Sequence, residues 1–137
     1  MKNVNYSRCG LVIHPDVPWL GASPDGLIYD PMECPPFGLV EIKCPNVKND
    51  VDCKYLQMQH GTATLQRRHA YYWQVQGQLL ITGLQWCDFV VCAQEDVLVQ
   101  RLHLDPEVTG VIREKADYYY YYVNIYMQNY LSLKPQH

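Results

Sequence analysis

The sequence has no surplus of positive charge: eleven Lys and Arg face fourteen Asp and Glu, a formal charge of −3 over 137 residues. No global positive field would draw such a chain to nucleic acid, so any DNA contact must be local. It also lacks any apolar run near the roughly 18 residues that a membrane helix needs. Its start, Met1-Lys2-Asn3-Val4-Asn5, has no apolar stretch of the signal-peptide kind. The expectation is a soluble, intracellular protein with no membrane partner. Closely spaced zinc ligands are missing too, since no CxxC, CxxH or HxxxH occurs, and a closed tetrahedral zinc site is not expected. Cys9, Cys34, Cys44, Cys53, Cys87 and Cys92 are scattered through apparent strands and loops, which favours reduced thiols over a disulfide framework. No internal repeat or linker divides the chain, and one tyrosine run is its sole biased tract. With 48% hydrophobic and 18% charged residues, residues 1–137 have the size and composition of a single domain with an ordinary core.

Cys9 to His14 is a short apolar run with a β-branched pair, stopped by Pro15, and predicts a first strand. Pro15 to Pro18 reads as a turn, and Trp19 to Ile28 as a second extended segment bent at Pro24-Asp25-Gly26. Asp30 to Gly38, with Pro31, Pro35 and Pro36, blocks helix and ladder alike and predicts a loop. From Gly38 to Cys44, Leu39, Glu41 and Lys43 alternate with Val40, Ile42 and Cys44, which predicts a strand with one polar and one buried face. Residues 46–68 are polar, with a short helix expected over Lys54 to His60. His69 to Thr82 has no proline, carries Tyr72, Val75 and Leu79 at helical spacing, and meets a left-handed stop at Gly83. A helix follows from that pattern. Trp86 to Ala93 and Val97 to Leu104 form a predicted hairpin.

Asp105 can cap and Pro106 suits the first position of a long terminal helix. Its apolar stripe is Val108, Val111, Ile112, Tyr119, Tyr122, Tyr126 and Tyr130. The run Tyr118 to Tyr122 turns about 100° per residue, so its rings point all around the helix, and core packing is expected ahead of DNA stacking.

Chemistry concentrates in Asp25, within a Ser-Pro-Asp-Gly bend, and in Glu41 and Lys43 on one strand face, with fifteen residues between Asp25 and Glu41. Residues i and i+2 of a strand lie about 6.6 to 7 Å apart, so Glu41 and Lys43 can serve one small site while Ile42 is expected to point into the core. If the bend brings Asp25 beside them, two carboxylates and the Ile42 carbonyl make a hard, oxygen-rich site suited to Mg²⁺ or Mn²⁺. Lys43 would orient or help deprotonate water and offset charge on a phosphodiester. The plainer alternative is an exposed Glu41–Lys43 pair worth about 0 to 1 kcal/mol, with Asp25 serving its turn.

Three strings carry a resemblance: Trp19-Leu20-Gly21-Ala22-Ser23-Pro24-Asp25-Gly26-Leu27, Gly38-Leu39-Val40-Glu41-Ile42-Lys43-Cys44-Pro45, and Tyr72-Trp73-Gln74-Val75-Gln76-Gly77-Gln78 followed by Trp86-Cys87-Asp88-Phe89-Val90-Val91. In that order they resemble the YqaJ-like viral recombinase family, which stands with lambda exonuclease in the PD-(D/E)XK nuclease superfamily. The resemblance implies an α/β, restriction-endonuclease-like core with a mixed sheet flanked by helices. It implies Mg²⁺- or Mn²⁺-dependent hydrolysis of DNA, exonucleolytic on duplex ends and related to recombination or mobile elements, in the nucleus if the source is eukaryotic. Asp25 and Glu41 become metal-binding carboxylates, the Ile42 carbonyl a further ligand, Lys43 the catalytic lysine and Gln74 a glutamine near the active site. Gln78, one turn on, and Arg67, Arg68 and His69 are expected DNA contacts. The family carries a helical segment ahead of its first strand, whereas this sequence begins eight residues before Cys9. The expectation is therefore a domain short at its N-terminus, whose site a helical segment or partner chain completes, and a homo-oligomer stays open. The alternative is an inactive nuclease-fold remnant serving in DNA binding or protein assembly.

Overall fold

A computed structural model describes residues 5–132, with side chains except those of residues 5, 122–128 and 130–132. Its central sheet has five strands: β1 (Asn5–Arg8), β4 (Gly26–Tyr29), β5 (Phe37–Lys43), β8 (Trp86–Cys92) and β9 (Val97–His103), adjacent in that order. β5 and β8 run parallel, and every other neighbour in the sheet is antiparallel. Two small hairpins flank it, β2 (Val12–Ile13) with β3 (Gly21–Ala22), and β6 (Leu56–Gln59) with β7 (Thr62–Leu65). The helices are α1 (Ala70–Thr82) and α2 (Pro106–Ser132). The mixed α/β architecture and the long terminal helix agree with the sequence reading. None of the described helices is long and apolar enough to cross a membrane.

α1 forms where the spacing predicts it. His69 is extended at the cap and its ring nitrogen accepts the Tyr71 amide, while Gly83 ends the helix in the left-handed region at φ 73°. Val75 and Leu79, fully buried on one side of α1, pack against Leu39, Cys87, Phe89 and Val91 of the sheet. Leu56, Ala63 and Leu65 of the second hairpin close this core. On the other face of the sheet, Ile28, Val40 and Trp86 form a smaller cluster. Trp86 donates from its indole nitrogen to Pro35 O (2.9 Å) and lies under the Arg101 guanidinium at 3.9 Å. Arg101 in turn binds both oxygens of Asp88, and Asp30 and Glu33 of the proline-rich loop. That loop is thereby fixed against the sheet.

Several expectations change. The helix over 54–60 is instead the β6–β7 hairpin, whose two-residue turn His60-Gly61 has both φ positive (51° and 78°). Leu56-Gln57-Met58-Gln59 and Thr62-Ala63-Thr64-Leu65 alternate around it, and strand pairing prevails over local helix tendency. The first strand is Asn5–Arg8 rather than Cys9 to His14, of which only Val12 and Ile13 pair. Ile42 is 39% exposed and Glu41 only 4%, so the polar face of β5 is the one α1 covers. Tyr118, Tyr119 and Tyr121 are exposed instead of packed, since consecutive residues of a helix point all around it, and Tyr120 stacks on Trp19 at 4.1 Å. The side chains of Tyr122, Tyr126 and Tyr130 lie outside the described residues.

Asp105 joins the helices. Its carboxylate accepts the Val108 amide, the Tyr72 hydroxyl and Arg67, and its own amide donates to Gln76, which also donates to His103 O. Burial by itself would raise the Asp105 pKa, but the hydrogen bonds from Tyr72 and Arg67, the Val108 amide and the Arg67 charge hold it below the usual carboxylate range. A group depressed in the fold contributes fully above its unfolded value and loses that contribution as pH falls through its folded one. Asp105→Asn therefore lowers Tm at neutral pH and flattens the fall in Tm as pH drops below about 4, as thermal melts in acid will read. A second outcome concerns Gly38. An alanine Cβ there would lie 2.3 Å from the Trp86 ring, and that ring has no room to retreat, so Gly38→Ala should cost about 1 to 3 kcal/mol in urea unfolding.

Candidate active site

Asp25 sits where β4 stops. Gly26 pairs with Val40, and at the next rung the Asp25 side chain takes the place of a backbone acceptor, its Oδ2 accepting the Ile42 amide at 2.8 Å. In an antiparallel pair a residue directs its N–H and its C=O to the same neighbour. The Ile42 carbonyl thus faces the side on which Asp25 lies, and Asp25 and Ile42 line one cleft. The bend itself is held by Tyr6, whose hydroxyl donates to Asp25 O (3.0 Å) and whose ring lies over Gly26. A Cβ on residue 26 would meet that ring at 2.1 Å, which gives the Pro-Asp-Gly wording its physical reason.

One residue from Ile42, Glu41 turns to the opposite side of the strand and under α1. Three donors surround its carboxylate: Lys43 Nζ at 3.0 Å and Gln74 Nε2 at 3.2 Å on Oε1, and Gln78 Nε2 at 3.2 Å on Oε2. A carboxylate this buried requires such partners, since an unpaired buried charge is costly. Lys43 also donates to Gln74 Oε1 (3.1 Å) and lies 4.1 Å from the centre of the Tyr71 ring. Tyr71, Gln74 and Gln78 follow one another at helical spacing on α1, beside the buried Val75 and Leu79 that fix the helix on the sheet. Cys87 reports both acids: burial pushes its thiol up, and the charges of Glu41, Asp88 and Asp25 push it further.

The Asp25 side chain is thus bonded to the Ile42 amide, and Glu41, Lys43 and Gln74 form a hydrogen-bonded group that starts at the adjacent residue of β5. The other expected contacts divide. Gln78 is 5% exposed and donates to Glu41, and it also lines a cleft beside Gln74. Arg67 is taken by Asp105 and Glu107 at the start of α2, and His69 caps α1 and packs on Tyr55 and Tyr71. Arg68 is exposed. Tyr71 and Tyr6 escaped the sequence reading; Tyr71 could have been found three residues before Gln74, whereas nothing local marks Tyr6.

Among the described residues no three His, Cys, Asp or Glu side chains are grouped to hold a metal ion. Two carboxylates and a carbonyl remain, an all-oxygen donor set that fits Mg²⁺ or Mn²⁺, ions that keep water and phosphate oxygens in their shells. A second cleft, lined by Gly21, Ala22, Ser23, Gln74, Gly77, Gln78 and Ile81, meets the first at Ser23. The hollow at Ser7, Leu27, Ile28, Tyr29 and Phe37 contains no acid or base. Replacing one donor to a buried carboxylate should register in stability: Gln78→Leu is expected to cost about 1 to 3 kcal/mol by denaturant titration.

The same fold occurs in the crystal structure of an alkaline exonuclease from Laribacter hongkongensis, with a TM-score of 0.66 and 26% identity over 94% of this chain and 61% of that one. The complex of that enzyme with dAMP gives 0.69 and 28% over 92% and 60%. The chain therefore spans about three-fifths of the enzyme it resembles. No curated relative matches it. The model of the YqaJ-like viral recombinase domain matches residues 2–85, more than half of the sequence and all of the strands and the helix that carry Asp25, Glu41, Lys43 and Gln74. By that match and this geometry, the chain belongs to the YqaJ-like viral recombinase family.

Proposed function

We propose that this chain is a Mg²⁺- or Mn²⁺-dependent deoxyribonuclease that hydrolyses phosphodiester bonds from the ends of duplex DNA in recombination. The observation that carries the reading is that Asp25 binds the Ile42 amide while the residues on either side of Ile42, Glu41 and Lys43, pair with each other. The similarity to an alkaline exonuclease supports it, as does the dAMP in that enzyme's second structure, a single nucleotide being the unit that stepwise digestion releases.

Asp25, Glu41 and the Ile42 carbonyl would hold the cation, which supplies Lewis acidity and charge against the phosphate when bound. In the reaction water adds to phosphorus and one P–O ester bond breaks, leaving phosphate on one fragment and hydroxyl on the other. Lys43 places its positive end beside Glu41, where it offsets charge that grows on the phosphate oxygens. Gln74 binds Lys43 through its oxygen and Glu41 through its nitrogen, so one amide sets the separation of acid and amine. Tyr71 shields the lysine from water on one side. Of the residues expected to touch DNA, Arg68 keeps that role in this reading, and Arg67, His69 and Gln78 serve the scaffold.

Linear duplex DNA incubated with Mg²⁺ should release nucleotides, and Lys43→Ala should lower turnover by about 10² to 10³-fold. Equal release by the two proteins rejects the assignment. Closed circular DNA should survive, and its cutting would make the enzyme an endonuclease. Mn²⁺ titration by calorimetry should show saturable binding that Asp25→Asn abolishes. DNA binding without any cleavage would favour a nuclease-fold remnant.

A further inference from the structure

The cleft beside Asp25 continues away from Glu41, along the edge of the sheet. Its walls are Tyr6, Arg8 and Cys9 from the β1 side, Ser23, Pro24 and Asp25 from the bend, and Ile42 from β5. Arg8 is the last residue of β1 and pairs with Gly26, the residue after Asp25. Its side chain is exposed, and among the described residues it has no hydrogen bond or ion pair. Of the other arginines, Arg67, Arg101 and Arg113 are each committed to carboxylates, and Arg68, like Arg8, is exposed. Asp25, on the same cleft, accepts the Ile42 amide through Oδ2, and no bond between it and Arg8 is present among the described residues.

Tyr6 stands two residues before Arg8 on the same face of β1. Its hydroxyl is anchored on Asp25 O and its ring rests on Gly26, yet the residue remains 52% exposed. Ile42, 39% exposed, offers an apolar surface nearby. One free cation, one immobilised aromatic ring and an apolar wall thus lead into a carboxylate. A ligand suited to all of them carries negative charge at one point and a flat apolar group at another. A phosphate followed by a nucleobase has that form, and a guanidinium meets phosphate oxygens with a matching fork of donors. The place is also electrostatically apt, because an anionic strand approaching Asp25 and Glu41 on a chain of net charge −3 needs a nearby compensating cation.

We propose that the Tyr6–Arg8 edge is a DNA-strand subsite, in which Arg8 binds a backbone phosphate next to the one being cleaved and Tyr6 stacks on a base. The inference rests on the nuclease reading above and adds to it the path along which the strand leaves the acid cluster. An acidic protein segment is the competing occupant of the same surface.

The test uses full-length Lys43→Ala protein, so that the DNA survives, with a fluorescent single-stranded oligodeoxynucleotide titrated in Mg²⁺ between ~50 and ~200 mM salt. Adding Arg8→Gln should weaken binding and reduce the slope of log affinity against log salt by about 0.7. Adding Tyr6→Leu should weaken it about 5- to 100-fold with the slope kept, and Tyr6→Phe, which retains the ring, should bind nearly as the parent does. Melting curves on each variant exclude unfolding as the cause. If Arg8→Gln binds with unchanged affinity and slope while wild type digests DNA, the subsite is wrong and the nuclease reading stands. If wild type neither digests nor binds DNA, both fall. If Arg8→Gln weakens capture of poly-glutamate but not of the oligonucleotide, the surface belongs to an acidic protein and the inference is overturned.

Discussion

A buried carboxylate organises this molecule. Glu41 occupies the central strand of the sheet, on the face that α1 covers, where an apolar side chain would pack without penalty. An ionised group there survives because two glutamines at consecutive turns of α1 and a lysine two residues along the same strand all point at it. The requirement propagates. α1 must lie at one height over the sheet, which Val75 and Leu79 fix from beside the glutamines. Lys43 must stay within reach, which Tyr71 and Gln74 ensure. The polar residues are therefore part of the packing that defines the fold, and the hydrophobic contacts are part of what aims the polar groups.

The two acids are held by different means. Asp25 is exposed, on a bend secured by a tyrosine and a glycine, and its carboxylate accepts a main-chain amide. Glu41 is enclosed, and its carboxylate accepts from three side chains. An acid at the mouth and another in the wall give the cluster an open and a closed side. On the open side Asp25 and the Ile42 carbonyl face the cleft, and on the closed side Lys43 and Gln74 keep the second acid in register.

The sequence revealed much of this where the signal is local. α1 could be read from Val75, Leu79 and Gly83, the terminal helix from Asp105-Pro106, and the three acid and amine positions from a bend and an alternating strand. What it hid depends on partners distant in the chain. Alternation showed that Glu41 and Lys43 share a face, but not that a helix covers it, so Ile42 was expected inside and lies outside. The β6–β7 hairpin was obscured because His60-Gly61, rather than the commoner Asn-Gly, supplies the two left-handed residues. Gln78 looked like a surface contact because helical spacing gives a residue's side and not its neighbour. The tyrosine run suggested core, yet of its described side chains Tyr120 packs on Trp19 while Tyr118, Tyr119 and Tyr121 face solvent.

Tyr6 belongs to the outermost strand, bonded to the sheet along one side only. Strands in that position are the first to fray, and this one holds the backbone of the exposed acid. Heat or mechanical strain that peels it away would loosen the aspartate while the interior is still intact, so the geometry around the exposed acid would be lost before the fold is.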